Sequence, residues 1–180
     1  MNTYIALLRG INVSGQKKIK MAHLKTMLQS LKLHDVITYI QSGNIVFKSV
    51  EEDSSILEDR IKKGIENTFG FDVPVLVLKR KSMQKIFSAN PYTDVKDIES
   101  NRIYFVLLKN PAEKKLVDVL MQENYENERF QIAEDCIYLT CTKGYGKAKC
   151  NNNFFEQKLK VSASTRNYKT MEKLLELSLY

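Results

Sequence analysis

The sequence predicts an α+β protein made of two similar halves. Short apolar runs rich in β-favouring residues alternate with helical patterns along the whole chain. In each half, two such runs are separated by a tight-turn pair, Ser42-Gly43 in the first and Glu134-Asp135 in the second. The 180 residues, of which 43% are hydrophobic and 27% charged, are typical of a globular protein and exclude a disordered chain.

The first half has six predicted elements. An apolar run ends at Arg9-Gly10, which indicates a buried strand followed by a loop, and from Met21 apolar residues recur at helical spacing. A hairpin follows, and then a helix for which Ser55 and Glu58 form a capping box. Pro74 near the start of the last strand favours an edge position. The elements are 3–8, the helix from 21, 36–41, 44–50, the helix that ends at 70, and 73–79.

This order is that of the split βαβ unit of ferredoxin-like domains, and the second half begins to repeat it. Its predicted elements are a strand at 102–109, a helix through 121, a hairpin of 129–133 and 136–141, a helix around 154–159 and a last helix at 168–177. We therefore predict two ferredoxin-like subdomains with mixed or antiparallel sheets, residues 1–90 and 91–180.

The net charge of +7 is unevenly distributed. Residues 1–90 carry 14 Lys and Arg against 8 Asp and Glu, whereas residues 91–180 carry 14 against 13. No acidic residue lies between Arg9 and Leu33, a segment with six cations. A second cationic segment extends from Lys143 to Lys173. Such clustering predicts a surface that attracts anions, and a merely solvated lysine-rich face is the alternative.

The topology predicts an anion site after the first strand. In a split βαβ sheet, the end of the first strand and the turn between the second and third lie at the same edge, and a helix N-terminus there favours anions. Glycines permit close approach of a ligand to the backbone. A phosphate-binding loop of the Walker A type is not present, because Gly15 is followed by Gln16. The predicted ligand-binding residues are Arg9, Gly10, Asn12, Lys17, Lys18, Lys20, Gln41, Ser42 and Asn44.

Arg166 and Asn167 form a second candidate site, next to Tyr168 at a predicted helix start. A cation, an amide and an aromatic ring could bind phosphate or stack a base. The alternative is structural: Asn167 caps the helix, Tyr168 packs onto the core and Arg166 binds nearby carbonyls.

Five sequence motifs resemble the bacterial domain-of-unknown-function family 1697. They are Y-I-A-L-L-R-G-I-N-V, G-x-K-x-I-K-M, Y-I-Q-S-G-N-I-V-F, N-N-F-F-E-x-K-L and T-R-N-Y-x-T, and they extend over nearly the whole chain. The resemblance implies an α+β fold with a ferredoxin-like part and no assigned activity. Ser14 stands where the family has glycine, and Tyr168 where it has tryptophan.

Few residues suit catalysis. The two histidines and three cysteines show no metal-ligand spacing, so we expect no metal and no cofactor. Cys150, beside Lys147 and Lys149, is a candidate for a thiol of lowered pKa. The cysteine usage, the absence of a signal-like start and the lack of a long apolar run predict a cytoplasmic protein without a membrane span.

The main functional hypothesis is binding of a phosphate-bearing small molecule or a nucleic acid through the basic loop. An enzyme acting on a phosphorylated small molecule and a protein-interaction module are the alternatives. The sequence does not determine the oligomeric state.

Overall fold

The computed structural model describes residues 1–180, which divide into two compact units. Unit 1 comprises residues 1–85 and 173–180, and unit 2 comprises residues 86–172. The division into domains 1–90 and 91–180 stays a prediction.

The first six elements of the chain lie in unit 1 and match the predicted order. They are β1 (Asn2–Leu8), α1 (Met21–Ser30), β2 (His34–Tyr39), β3 (Asn44–Ser49), α2 (Ser54–Phe69) and β4 (Val75–Lys79). The sheet order is β2-β3-β1-β4 with every pair antiparallel. The edge position predicted for β4 from Pro74 is confirmed, because β4 ends the sheet.

Unit 2 repeats this topology. After α3 (Arg80–Ser88), which begins in unit 1, come α4 (Val95–Glu99), β5 (Ile103–Leu108), α5 (Lys114–Leu120), β6 (Glu128–Ile132), β7 (Cys136–Cys141), α6 (Asn152–Leu159), β8 (Ala163–Asn167) and α7 (Tyr168–Leu177). The sheet order is β6-β7-β5-β8, again antiparallel. The α+β fold with two similar split βαβ units is confirmed.

Equivalent backbone hydrogen bonds connect the same three segments at one edge of the sheet in both units. The N–H of Leu8 donates to Gly43 O at 2.8 Å, and that of Arg9 donates to Pro74 O at 3.0 Å. In unit 2, the N–H of Leu108 donates to Asp135 O at 3.0 Å, and that of Lys109 donates to Ser162 O at 2.8 Å. The end of the first strand is thus tied to the hairpin turn and to the residue just before the fourth strand.

One local prediction is wrong, and two elements were not predicted. The last helix begins at Tyr168 as predicted, but strand β8 directly before it and helix α4 were not predicted from the sequence. The capping box does not form: Asp53 caps α2 by accepting the Ser55 hydroxyl at 2.7 Å and the N–H of Ser55 at 2.8 Å, and these hydrogen bonds lower the pKa of Asp53. Glu58 instead accepts the N–H of Val77 at 2.9 Å.

Glu58 satisfies a backbone donor of the edge strand, which no further strand covers. Glu156 on α6 does the same in unit 2, where its carboxylate accepts the N–H of Ala163 at 2.8 Å. We expect Glu58→Ala to lower the free energy of unfolding by about 1–3 kcal/mol, since it leaves a buried donor unsatisfied. Urea unfolding measures this loss. Glu66→Ala, an exposed change on the same helix, is the control and should shift stability by less than about 0.5 kcal/mol.

The core of unit 1 packs α1 and α2 against one face of the sheet, with Tyr4, Leu28, Phe47 and Ile61 fully buried. Gly64 on α2 permits close packing of α1, because a Cβ there would lie 2.8 Å from Leu31 Cδ1 and from Met27 Sδ. None of the helices combines the length and the apolar character needed to cross a membrane.

Candidate functional site

A groove of about 630 Å³ opens at the edge of unit 1 where β1 ends. We call it the basic groove, and it is lined by Asn12, Gly15, Lys18, Ile19, Lys20, Met21 and Gln41. These residues come from the loop after β1, the start of α1 and the β2–β3 turn. The groove is therefore built where the split βαβ topology brings these three segments together.

Asn12 holds the groove together. Its Nδ2 donates to Ile19 O and to Gln41 O, both at 2.9 Å, and its Oδ1 accepts the N–H of Ile19 at 2.8 Å. Its backbone is left-handed, with φ 54°. One side chain thus closes the loop on itself and ties the loop to the hairpin turn, so Asn12 positions the groove rather than offering a free donor.

The hairpin turn is shaped by two residues with left-handed backbones, Ile40 (φ 48°) and Gly43 (φ 77°). This conformation is unfavourable for a β-branched residue, so the backbone at Ile40 is strained. Asn44 is buried and its Nδ2 donates to Tyr39 O at 3.2 Å and to Ser42 Oγ at 2.9 Å. These contacts fix the turn that presents Gln41 to the groove.

The three loop lysines have different surroundings. Lys17 Nζ donates to the carbonyl of Asp72, and the Asp72 carboxylate forms an ion pair with Lys62 at 3.0 Å. Lys62, and secondarily Lys17, lowers the pKa of that carboxyl group. Lys17 therefore clamps the loop, whereas the exposed Lys18 and Lys20 line the groove and form no ion pair.

The N-terminus of α1 faces the same groove, because Lys20 and Met21 line it. The N-cap residue is Lys20, no side chain caps the helix, and its first turn holds no acidic residue. The hydrogen bond that closes this first turn joins the N–H of Leu24 to Lys20 O, at 3.0 Å. The preceding N–H groups and the helix dipole add to the positive field of the two lysines.

The remaining predicted residues lie at the same edge but do not line the groove. Arg9 is half-buried just after β1, and Gly10 is exposed with φ 74°. Ser42 is exposed in the hairpin turn, where its hydroxyl accepts from Asn44. Of the other lining residues, Gly15 and Met21 were expected only to permit close approach and to open the helix, and Ile19 was not predicted at all. A glycine and two apolar residues do not indicate a ligand site by their residue type. In the sequence, Ile19 and Met21 resemble residues of the core.

Arg166 and Asn167 belong to unit 2 and do not line the basic groove. Asn167 Oδ1 accepts the N–H of Thr170 at 2.8 Å, and the ring of Tyr168 lies 4.9 Å from that of Phe87. Arg166 donates to Thr165 O at 2.8 Å, and burial lowers the pKa of its guanidinium to about 10. These contacts are the ones expected if the segment has a structural role. A ligand-binding role for Arg166 and Asn167 stays a prediction.

The hypothesis of an activated thiol at Cys150 is wrong. Cys150 is fully buried, while Lys147 and Lys149 are exposed. Burial, followed by the carboxylate of Glu128, raises the pKa of Cys150 to about 12. Burial also raises the pKa of Cys141 to about 12.

These thiols should be unreactive in the folded protein, because alkylation requires the thiolate. We expect no labelling of any of the three cysteines by iodoacetamide at pH 8 under native conditions, and complete labelling in denaturant. Mass spectrometry counts the modified sites. Rapid labelling of native Cys150 would contradict this account of its surroundings.

The structure contains no cluster of three or more His, Cys, Asp and Glu side chains that could hold a metal ion. His23 lies exposed on α1 and His34 begins β2, and neither lines the groove. The groove's titratable side chains are therefore two lysines, which suit anion binding better than general acid–base catalysis.

Comparison with known proteins gives a family for the chain. Residues 1–138 match the family described as "Protein of unknown function (DUF1697)". The chain belongs to this family. No curated protein matches the sequence significantly. Among solved structures, the chain is similar to the conserved bacterial protein SP0830 from Streptococcus pneumoniae, with 22% identity, a TM-score of 0.74 and coverage of 98% of both chains. At this identity, the likeness shows that this DUF1697 member shares the fold.

Proposed function

We propose that this DUF1697 protein binds a phosphate-bearing ligand in the basic groove. Lys18 and Lys20 supply the charge, and the N–H groups at the start of α1 supply directed donors. Gln41 orients the ligand from the hairpin turn. Arg9, Gly10, Lys17 and Ser42 surround this site, whereas Asn12 and Asn44 hold its two loops in place.

The observation that carries the proposal is the pair of unneutralised lysines at an uncapped helix N-terminus. A cation at the positive end of a helix dipole is unfavourable by itself. A bound anion offsets this unfavourable interaction, because it interacts favourably with the dipole and with both ammonium groups. The groove's volume and its lack of any acidic lining residue support the same conclusion.

The test compares two double variants that remove the same charge. Lys18→Ala with Lys20→Ala removes the groove lysines, whereas Lys25→Ala with Lys32→Ala removes two exposed lysines of the same region that do not line it. Isothermal titration measures binding of phosphate compounds, and fluorescence anisotropy measures binding of labelled RNA and DNA at low and near-physiological salt.

We expect the groove variant to bind about 10- to 100-fold more weakly, as for the loss of two solvent-exposed hydrogen bonds that contribute about 0.7–1.4 kcal/mol each. The control variant should lose less than about threefold in affinity. Equal losses in both variants would mean that diffuse surface charge, not the groove, attracts the anion. Absence of binding in the unaltered protein would contradict the proposal altogether.

A further inference from the structure

The size of the basic groove indicates more than a phosphate group. Its volume of about 630 Å³ lies within the range of sites that enclose whole small organic ligands. The two ammonium groups and the helix N-terminus suit a phosphate group, which fills only a small part of such a volume. The rest of the groove must contact another part of the ligand.

The chemistry of that other part follows from the remaining lining residues. Ile19 is only 3% exposed, so its side chain forms part of the floor rather than the rim. Met21 is half-buried and packs against the unit 1 core. Gln41 contributes an amide, which both donates and accepts. The groove thus combines two lysines with an apolar floor and one hydrogen-bonding amide.

The lining residues also bear on polymer binding. None of them is aromatic. Proteins that bind single-stranded nucleic acids stack successive bases on aromatic side chains along a basic channel. A groove without such rings fits one small molecule better than a strand.

We propose that the ligand is a nucleoside monophosphate, an inference that rests on the proposed function and narrows it. Its phosphate lies between Lys18 and Lys20 at the start of α1. Its base lies against Ile19 and Met21, and the amide of Gln41 pairs with a polar edge of the base or sugar. This assigns the apolar residues of the groove a role in specificity.

Isothermal titration with four ligands tests the inference: a nucleoside monophosphate, ribose 5-phosphate, inorganic phosphate and a short single-stranded RNA. We expect the nucleoside monophosphate to bind at least tenfold more tightly than ribose 5-phosphate, because the base adds apolar contact. Met21→Gln should weaken nucleotide binding about fivefold or more and affect ribose 5-phosphate binding much less. Gln41→Ala, on an exposed turn, should weaken nucleotide binding while the protein stays folded.

The outcomes separate this inference from the proposed function. Equal affinity for all three small phosphates, abolished by the groove lysine variant, would overturn the inference and retain the proposed function. Tighter, strongly salt-dependent binding of the RNA would also overturn it, in favour of a nucleic-acid site. No binding of any phosphate compound would overturn both.

Discussion

Gly43→Ala is expected to lower the free energy of unfolding by about 2–5 kcal/mol. Gly43 has φ 77°, a left-handed conformation that costs an L-residue about 1–2 kcal/mol. Space is the larger obstacle. A Cβ there would lie 2.5 Å from Leu8 Cβ and 3.0 Å from Ile11 Cδ1. Leu8 Cβ is fixed to the backbone of β1, so the turn itself must shift.

Gly70→Ala separates the two causes. Gly70 also has a left-handed backbone, with φ 72°, but an added Cβ would meet no atom within 4 Å. Gly70→Ala should therefore lower the free energy of unfolding by only about 1 kcal/mol, which is the conformational contribution alone. Urea unfolding of both variants measures the difference. Equal losses would show that the contact between the hairpin turn and Leu8 is looser than described.

Asn12→Ala is expected to lower the free energy of unfolding by about 2–4 kcal/mol and to open the loop after β1. The variant loses three hydrogen bonds, two to Ile19 and one to Gln41 O. Each contributes about 1 kcal/mol, and the N–H of Ile19 loses its acceptor. Because the same bonds position Lys18, Lys20 and Gln41, ligand binding should fall with stability.

Asn12→Gly is the matched variant, since glycine accepts the left-handed backbone of this position. It should be about 1 kcal/mol more stable than the alanine variant yet lose binding equally. Limited trypsin digestion reports the opening directly, because Lys17, Lys18 and Lys20 lie in the loop. Unchanged cleavage in both variants would contradict the bracing role of Asn12.

Much of the fold was predictable from local patterns. The apolar run of β1, the helical spacing from Met21 and the Ser42-Gly43 turn each correspond to an observed element. Strand β8 was not predictable in this way. Its sequence, Ala-Ser-Thr-Arg-Asn, has no apolar alternation, and it is a strand because it pairs with the buried β5. Tertiary pairing outweighs local preference there.

The position of the basic groove follows from the predicted topology, but the roles of its residues do not. The topology brings the basic loop beside the β2–β3 turn, as the hydrogen bond from Leu8 to Gly43 shows. The separate roles of the lysines depend on distant partners: Lys17 is clamped by a carbonyl 55 residues away. Likewise, the pairing of Glu58 with Val77, rather than with its own helix, depends on packing that a local motif does not contain.

The most direct test of the central claim is an amide chemical-shift titration of the isotopically labelled protein with a nucleoside monophosphate. We expect the largest shifts at the backbone amides of Gly15, Lys18, Ile19, Met21 and Gln41, which line the groove. We expect small shifts in residues 86–172. Saturable shifts centred on the groove would support the account. An absence of saturable shifts, or shifts centred in unit 2, would contradict it.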